Sequence, residues 1–349
     1  MTTMRAYRIE TWQGPARLVE VPVPVPGPGQ VRVRVAGCGL CHSDLAMGQV
    51  SAGTGAAMGW TVPFTLGHET AGWIDAVGAG VDGVVAGDPV ALASPASCGV
   101  CRWCRRGHEN ACPAGQVGRG YGRDGGLADY VLVGDVGRAL LPLRGLDPGI
   151  AGPLTDAGAT SYHAVSRMVP RLGADGTVVV VGVGGLGGFV VQLLRALADV
   201  RVVAVDPNPA RRDRALDLGA HEVVDGVDED TLTRLRAVVG RDPVDGVVDL
   251  VGTDATIALS ASLVAPAGSM AVVGAGGGTL RRPWFGGLPR DAEVFTFQGS
   301  DLDDARAVLA LAADGRLRVD VAPFDLNQVT QAYEALDNAT LGGRAVVRP

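Results

Sequence analysis

The chain has 349 residues, which exceeds the usual size of one domain and predicts two. Its hydrophobic content of 47% is typical of a globular protein, and no apolar run reaches the ~18 residues of a membrane-spanning helix. The formal net charge is −7 and no basic run with interleaved aromatic residues occurs, which argues against a nucleic-acid-binding protein. Residues 1–8 contain no apolar core of a secretion signal. We therefore expect a cytoplasmic protein with neither membrane nor nucleic-acid partners.

All 30 basic residues are arginines, because lysine does not occur in the sequence. Arginine stays protonated in proteins, so Schiff-base formation and general-base catalysis by lysine are unavailable. Proton transfer in any reaction must then use histidine, carboxylate, hydroxyl or metal-bound water.

Residues 1–150 predict short strands separated by turns that are rich in glycine and proline. The proline-alternating segment 21–29 predicts an extended surface stretch, because proline is excluded from central strands. This part of the chain is expected to form a β-rich domain with long loops. Its predicted strands are Arg5–Glu10, Val31–Val35, Ala71–Val77, Asp88–Leu92 and Leu127–Val133.

Two potential zinc ligands lie in this β-rich region. They are Cys41, in the motif G-L-C-H-S-D at residues 39–44, and His68, in G-H-E at residues 67–69. Both residue types suit zinc, and the neighbouring glycines allow the backbone to approach an ion. Taken singly, a buried small cysteine and a core histidine are the simpler interpretations. Together with Glu69 and the cysteine cluster that follows, they predict a catalytic metal site.

Four further cysteines occur as C-x2-C-x2-C-x7-C, a spacing at which four thiolates can surround one zinc ion. The six cysteines of the chain also permit three disulfides, but close spacing in a chain without a signal peptide favours metal ligands. Cys38 has no assigned partner and is predicted to be a packed free thiol. The predicted structural zinc ligands are Cys98, Cys101, Cys104 and Cys112.

From Gly173 onward, apolar strands alternate with helical segments, a pattern typical of βαβ units and a parallel sheet. The predicted strands are Val178–Val183, Val202–Asp206, Glu222–Val224, Gly246–Leu250 and Ser269–Gly274. The predicted helices between them are Gly187–Leu197, Pro209–Leu218, Glu229–Val239 and Ala255–Leu263.

After residue 290 the pattern predicts a last group of elements that returns to complete the first domain. The predicted domains are therefore residues 1–153 with 290–349, and residues 154–289. The returning elements are a strand at Val294–Gln298, helices at Leu302–Ala313 and Leu326–Leu336, and a strand at Gly343–Val347.

The first strand of the second domain runs directly into G-x-G-x-x-G, formed by Gly182, Gly184 and Gly187, and a helical pattern follows. Asp206 ends the next strand, nineteen residues after the last of these glycines. Strand, helix and acidic residue together indicate a dinucleotide-binding site. A carboxylate at Asp206 would accept hydrogen bonds from ribose hydroxyls and repel a 2′-phosphate, so we expect NAD rather than NADP. The motifs combined predict a zinc- and NAD-dependent dehydrogenase.

These motifs resemble those of the zinc-containing medium-chain dehydrogenase/reductase family, and within it the bacterial NAD-dependent alcohol dehydrogenases. The resemblance covers nearly the whole chain and includes G-A-G-V at residues 78–81, G-D-P-V at 87–90 and P-L-T-D-A-G-A-T at 153–160. It implies an α/β protein in which a β-rich, GroES-like catalytic domain is interrupted by a Rossmann domain with a doubly wound parallel sheet. It also implies a homodimer or homotetramer.

The resemblance implies that Cys41, His68 and Asp156 hold a catalytic zinc, with an open fourth position for the alcohol. Asp156 departs from those members that have cysteine at this position, but a carboxylate oxygen is an ordinary zinc ligand and occurs there in some bacterial relatives. Glu69 resembles the glutamate that can exchange with substrate or water at the metal. Asp44 resembles the carboxylate that orients the zinc histidine, with a surface position as the alternative. Two zinc ions per subunit are expected.

Ser43 resembles the residue that hydrogen-bonds the substrate oxygen and passes its proton toward the cofactor ribose. Many relatives end this relay with a histidine at the position of Ala46, so here the proton must leave to water or to His42. The expected cofactor-binding residues are His42, Thr160, Gly182, Gly184, Gly185, Leu186, Gly187, Asp206 and Arg211. A solvated helix face is the alternative for Arg211.

The expected reaction is reversible hydride transfer between NAD and a medium-sized, apolar primary or secondary alcohol, giving an aldehyde or ketone. The small residues Ala46 and Ser94 imply a roomy pocket, and segment 48–62 with Trp60 predicts a mobile lid or a subunit contact. Two alternatives stay open. One is a polyol, sugar or formaldehyde dehydrogenase on the same scaffold, and the other is a catalytically idle NADH-binding zinc protein.

Overall fold

The computed structural model describes residues 2–94, 96–240 and 242–349. The chain forms two compact units, one of Met1–Ala159 with Gly299–Pro349 and the other of Thr160–Gln298. The sequence placed the divisions after residues 153 and 289, and both observed divisions fall later in the chain. Within the described ranges, no helix combines the length and apolar character that a membrane crossing requires.

The first unit begins with short strands and long loops, as predicted, and also contains short helices. The five expected strands are present, and the short helices and the strands β2, β4, β7, β8 and β10 were not predicted. The strands are Thr3–Ile9 (β1), Arg17–Pro22 (β2), Val31–Gly39 (β3), Phe64–Thr65 (β4), Glu69–Val77 (β5), Pro89–Leu92 (β6), Gly118–Arg119 (β7), Gly122–Arg123 (β8), Tyr130–Val133 (β9) and Leu140–Pro142 (β10). The α-helices are His42–Met47 (α1), Ala52–Met58 (α2), Val136–Ala139 (α3), Pro148–Ala151 (α4) and Ala157–Met168 (α5), the last of which runs into the second unit.

The second unit alternates strands and helices, as the sequence predicted. Its strands form one parallel sheet in the order β13-β12-β11-β14-β15-β16, which is the order of a doubly wound dinucleotide-binding fold. The valines of β11 are fully buried, as expected for a strand covered on both faces. The elements are Thr177–Val181 (β11), Gly187–Leu197 (α6), Arg201–Val205 (β12), Pro209–Asp217 (α7), Glu222–Val224 (β13), Thr231–Val239 (α8), Val244–Asp249 (β14), Asp254–Leu263 (α9), Val264–Val272 (β15) and Glu293–Thr296 (β16).

The strand predicted at Val294–Gln298 lies in the second unit and not in the first. As β16 it pairs in parallel with β15, from Ser269 opposite Glu293 to Val272 opposite Thr296. It therefore completes the edge of the parallel sheet, which explains why the second division falls after Gln298.

The C-terminal segment returns to the first unit and supplies two strands to its larger sheet. That sheet has the order β10-β6-β5-β3-β18-β17, with β9 also paired to β3, and a smaller sheet has the order β2-β1-β4. Alternation along β3 buries Val31, Val33 and Val35, whereas Arg32 and Arg34 stack on aromatic rings outside the core. The returning elements are Leu302–Ala313 (α10), Val321–Asp325 (β17), Val329–Asp337 (α11) and Arg344–Arg348 (β18).

Candidate active site and metal centres

The four clustered cysteines of the first unit lie together in space as predicted. Their sulfur atoms all fall within 4.8 Å of one another, and the separations include 3.5 Å for Cys101–Cys104 and 3.9 Å for Cys98–Cys104. Four sulfurs around a zinc ion at about 2.3 Å would lie about 3.8 Å apart. All six cysteines of the chain are free thiols, so the alternative of three disulfides is wrong.

Backbone geometry favours thiolates at this cluster. Hydrogen bonds from the backbone N–H groups of Val100 and Cys101 lower the pKa of Cys98 to about 6. A similar bond from the N–H of Cys104 lowers the pKa of Cys101, whereas burial raises that of Cys104 to about 12. Since thiolates are the form that ligates zinc, two of the four ligands are partly prepared before an ion arrives.

A second donor cluster in the same unit joins Cys41, His68 and Asp156, whose donor atoms lie within 4.8 Å of one another. Cys41 precedes α1 directly, His68 lies between β4 and β5, and Asp156 precedes α5. His68 Nε2 is 3.4 Å from Asp156 Oδ2, which is about the separation of a nitrogen and an oxygen ligand on one tetrahedral zinc. The donor set and spacing therefore fit a zinc ion with one open position.

Asp44 is buried behind this cluster and contacts two of its residues. Its Oδ2 accepts the backbone N–H of Cys41 at 3.0 Å, which caps the start of α1. Its Oδ1 lies 3.1 Å from His68 Nδ1, although the two atoms are not aligned as a hydrogen bond and have no other partner among the described residues. The position supports the predicted orienting role of Asp44, and its burial contradicts a surface position.

The carboxylates of Asp44 and Asp156 and the phenol of Tyr121 surround the His68 ring. Burial alone lowers the pKa of His68, but Tyr121, Asp44 and Asp156 outweigh that effect and raise it well above the ordinary value. Burial opposes ionisation of Asp156, while His68 lowers its pKa. His68 and Asp156 thus favour the charged form of each other, and zinc bound at Nε2 would release any proton carried by that nitrogen.

Glu69 lies beside this donor cluster, where it interacts with Asp156 and His68 and its carboxylate pairs with Arg344; its exchange at the metal stays a prediction. Both of its carboxylate oxygens bind the Arg344 guanidinium of β18, with Nε 3.0 Å from Oε2. Oε1 also accepts the backbone N–H of Ala157 at 3.2 Å. Burial raises the pKa of Glu69 to about 7, and Arg344 opposes that rise. The pair thus ties the last strand to the residue that follows Asp156.

Three residues near the cluster extend or correct the sequence interpretation. Ser43 Oγ lies 2.9 Å from the hydroxyl of Tyr121, a residue that the sequence analysis missed. Ser94 Oγ donates to Asp156 Oδ1 at 3.4 Å. Trp60 was expected in a lid or a subunit contact, but its indole is buried, lies tilted against the Tyr121 ring and donates to the carbonyl of Gln116. The signal for Tyr121 was its setting between two glycines, Gly120 and Gly122.

Cys38 is a buried free thiol, as predicted. Its sulfur lies 3.6 Å from the hydroxyl of Thr70, and burial raises its pKa to about 12. Burial that opposes ionisation makes a thiol a poor metal ligand and a poor nucleophile, which fits a packed free thiol.

The glycine motif of the second unit forms the predicted turn between β11 and α6. A Cβ on Gly187 would lie 2.2 Å from the carbonyl oxygen of Gly182, so this close approach requires glycine. Ser161 Oγ donates to the carbonyl of Leu186 at 3.1 Å, which joins α5, next to the predicted cofactor residue Thr160, to the same turn. Gly184 and Gly185 complete the turn.

Asp206 lies just after the end of β12 and is buried with its carboxylate fixed. Oδ2 accepts the N–H of Val183 at 2.8 Å and Oδ1 accepts the N–H of Asn208 at 2.9 Å. Arg211 Nη1 lies 3.8 Å from Oδ2, so Arg211 belongs to this edge of the sheet and is not simply solvated. The carboxylate retains lone pairs for two further donors. His42, by contrast, lies in the first unit, at the start of α1.

Two protein-family models match the chain. The model described as alcohol dehydrogenase GroES-like domain matches residues 27–143, and the model described as zinc-binding dehydrogenase matches residues 185–314. Both expected halves of the fold are therefore confirmed.

Individual relatives and solved structures align over nearly the full length. D-arabinose 1-dehydrogenase (NADP(+)) of Saccharolobus solfataricus is 31% identical, with 100% of this chain and 99% of that protein covered. An NAD-dependent alcohol dehydrogenase of Sulfurisphaera tokodaii is 32% identical, with 99% and 100% covered. The crystal structure of the alcohol dehydrogenase from Aeropyrum pernix has a TM-score of 0.89 at 31% identity, with 99% of this chain and 100% of that chain covered. These relatives differ among themselves in cofactor and in substrate.

Proposed function

Since the chain belongs to the zinc-containing medium-chain dehydrogenase/reductase family, we propose that it transfers a hydride reversibly between an alcohol and NAD, giving an aldehyde or ketone. The observation that carries the proposal is the convergence of Cys41, His68 and Asp156 within 4.8 Å. Three ligands leave a tetrahedral ion one open position, which is the arrangement of catalytic and not of structural zinc sites. A catalytically idle NADH-binding protein has no need of such an opening.

The side chains of the first unit suit the demands of this reaction. A bound zinc ion would polarise the substrate oxygen as a Lewis acid, and the bound cofactor would accept the hydride. Cys41 and Asp156 supply two negative charges and His68 a neutral nitrogen, so the loaded site is formally neutral. Asp44 favours the tautomer with the proton on Nδ1, which leaves Nε2 free to bind the ion.

Ser43 is the residue proposed to hydrogen-bond the substrate oxygen and receive its proton. It lies in the first turn of α1, two positions after Cys41, so its hydroxyl is held close to the proposed metal ligands. Ala46, one helical turn later, carries no proton acceptor. The proton therefore continues to His42 or to water.

A second zinc ion in the four-cysteine cluster is proposed as structural. Four protein ligands close the coordination sphere, so substrate has no access to that ion. The 3.5–3.9 Å separations between the sulfurs and the lowered pKa of Cys98 support this assignment. Each subunit then carries two zinc ions.

NAD is the proposed cofactor, although the D-arabinose 1-dehydrogenase relative is named as NADP-dependent. The fixed carboxylate of Asp206 supports NAD because its charge opposes a 2′-phosphate at the adenosine ribose. Arg211 Nη1, 3.8 Å from Asp206 Oδ2, offsets part of the carboxylate charge. The preference for NAD over NADP therefore requires that repulsion by Asp206 exceed attraction by Arg211.

The proposed substrate is a medium-sized, apolar primary or secondary alcohol. The small side chain of Ala46 and the aromatic rings of Trp60 and Tyr121 near His68 support an apolar surface. The hydroxyls of Ser94 and Tyr121 already contact site residues, which leaves few groups to bind a polyol. A sugar dehydrogenase is the second candidate, because a relative of equal similarity is named for D-arabinose.

A homodimer or homotetramer in the cytoplasm is also proposed. Trp284 and Phe285 of the second unit are 95% and 82% exposed, and their rings contact each other at a tilt. Large aromatic side chains this exposed are typical of protein contact surfaces, and a second copy of the chain is the partner proposed here. Light scattering of a Trp284→Ser, Phe285→Ser variant beside the parent tests this, since an unchanged mass would contradict it.

A substrate panel tests the proposed reaction. Purified protein is assayed for reduction of NAD and NADP with ethanol, medium-chain, cyclic and benzylic alcohols, D-arabinose and a polyol. We expect the highest kcat/KM with NAD and a bulky apolar alcohol, because burial contributes roughly 0.8 kcal/mol per methylene. Highest efficiency with D-arabinose would favour the sugar dehydrogenase, and no turnover would support the idle protein.

A further inference from the structure

Tyr121 is placed between the proposed proton acceptor and a proposed metal ligand. Its hydroxyl lies 2.9 Å from Ser43 Oγ and 3.4 Å from His68 Nε2. Its ring centroid is 4.8 Å from that of the His68 imidazole and 6.0 Å from that of the Trp60 indole. The Tyr121 hydroxyl thus contacts both Ser43 and His68. The Trp60 indole, which belongs to the hydrophobic core, packs near the Tyr121 ring.

The backbone around Tyr121 leaves the ring little freedom to withdraw. Gly120 and Gly122 have φ of 77° and 76°, a conformation that favours glycine. A Cβ on Gly120 would lie 3.0 Å from the backbone of Gly67, and one on Gly122 would lie 2.6 Å from the Trp60 side chain. The turn of residues 120–122 therefore packs closely against Gly67, the residue before His68.

Metal binding at His68 would change the hydrogen bonds open to the Tyr121 hydroxyl. Among the described residues, the hydroxyl lies within hydrogen-bond distance of Ser43 Oγ and His68 Nε2. A histidine nitrogen that ligates an ion can neither donate nor accept a hydrogen bond. Of these two partners, only Ser43 is then left for the Tyr121 hydroxyl.

We propose that Tyr121 is a positioning residue that sets the direction of the Ser43 hydroxyl toward the substrate oxygen, an inference that rests on the function proposed above. A serine hydroxyl left alone rotates among staggered positions, and its hydrogen turns freely. The 2.9 Å bond to a rigidly held phenol selects one of these arrangements. Tyr121 therefore acts through Ser43 and touches neither substrate nor cofactor in this role.

A double-mutant cycle tests this role. Tyr121→Phe removes the hydroxyl and keeps the ring, Ser43→Ala removes the partner, and Tyr130→Phe is a matched control elsewhere in the first unit. We expect Tyr121→Phe to lower kcat about tenfold with KM changed less than about twofold, because misdirected groups slow the reaction more than binding. In the Ser43→Ala background the same change should have an effect of less than about twofold.

Cobalt titration of zinc-depleted protein provides a readout independent of turnover. Since an ion on His68 Nε2 would end the contact of that nitrogen with the Tyr121 hydroxyl, the hydroxyl contributes nothing to holding the ion, and Tyr121→Phe should bind Co²⁺ at least as tightly as the parent. A roughly tenfold weaker affinity would show that Tyr121 builds the metal site instead, and would overturn the proposal. Thermal unfolding of each variant confirms that the fold is retained.

The outcomes separate this inference from the proposed function. An active parent with an unchanged Tyr121→Phe variant, or an equal loss with and without Ser43, would overturn the role of Tyr121 alone. A parent and Tyr130→Phe control that are both inactive on every alcohol would overturn the proposed function and this inference with it.

Discussion

Asp44 and His68 form a buried contact in which Asp44 Oδ1 lies 3.1 Å from His68 Nδ1. The second oxygen of Asp44 accepts the backbone N–H of Cys41 at 3.0 Å. One carboxylate therefore caps the helix that follows the first proposed ligand and faces the ring of the second. The two sequence motifs, far apart in the chain, depend on this single side chain for their common geometry.

Replacing Asp44 by Asn is expected to weaken the catalytic site without unfolding the chain. The amide keeps the size of the carboxylate but loses the charge that favours a proton on His68 Nδ1. We expect roughly a 10- to 100-fold loss in zinc affinity or in kcat/KM. Competition with a metal chelator measures the affinity. Asp75→Asn, which removes the charge of Asp75 in its pair with Arg32, is the control and should change neither value.

Cys101→Ser is expected to remove the structural zinc and lower the unfolding temperature. Structural zinc contributes directly to folding, so the loss should be several degrees or more, with zinc falling from two ions per chain to one. Elemental analysis and calorimetry measure both effects. Cys38→Ala is the control because that free thiol contacts no proposed ligand of this cluster, and it should retain both ions. A Cys101→Ser protein that kept two zinc ions would contradict the assignment.

Hydrophobic periodicity predicted the helices and strands of the second unit, and motif spacing predicted the four-cysteine cluster. Alternation from β11 onward gave α6 at Gly187–Leu197 and β13 at Glu222–Val224 with their observed bounds. The four-cysteine spacing likewise gave the observed cluster.

Features that depend on tertiary packing were not predicted. Glu69 forms a charge pair with Arg344, a residue much later in the chain. No local sequence pattern indicates that β18 brings Arg344 next to Glu69. The strand β16 was placed in the wrong unit because only its pairing with β15 identifies its sheet. Trp60 lay in a glycine-rich segment that suggested mobility, whereas the indole packs into the core.

Arg344→Met is expected to destabilise the first unit strongly. The Glu69 carboxylate would be left buried without its partner, which costs about 3–5 kcal/mol in the free energy of unfolding. Urea denaturation measures the loss. The exposed pair Arg318–Asp320 provides the control, since Arg318→Met should cost less than about 1 kcal/mol. Adding Glu69→Gln to Arg344→Met should recover part of the loss, and a further loss would contradict the pairing argument.

Asp206→Ser is expected to shift the cofactor preference toward NADP. The parent should favour NAD by at least roughly tenfold in kcat/KM, or about 1.4 kcal/mol, because the carboxylate opposes a 2′-phosphate. Without that charge, Arg211 is free to pair with the phosphate. Adding Arg211→Ala should then remove the gain with NADP. Equal efficiency of the parent with both cofactors would refute the role of Asp206.

The central claim is that Cys41, His68 and Asp156 hold a zinc ion that the reaction requires. The most direct test is elemental analysis of tag-free parent and Asp156→Ala protein, combined with their rates of alcohol-dependent NADH formation. We predict two zinc ions per chain and turnover for the parent, against one zinc ion and no measurable turnover for the variant. A fully active Asp156→Ala protein, or a parent with only the four-cysteine zinc, would contradict the account.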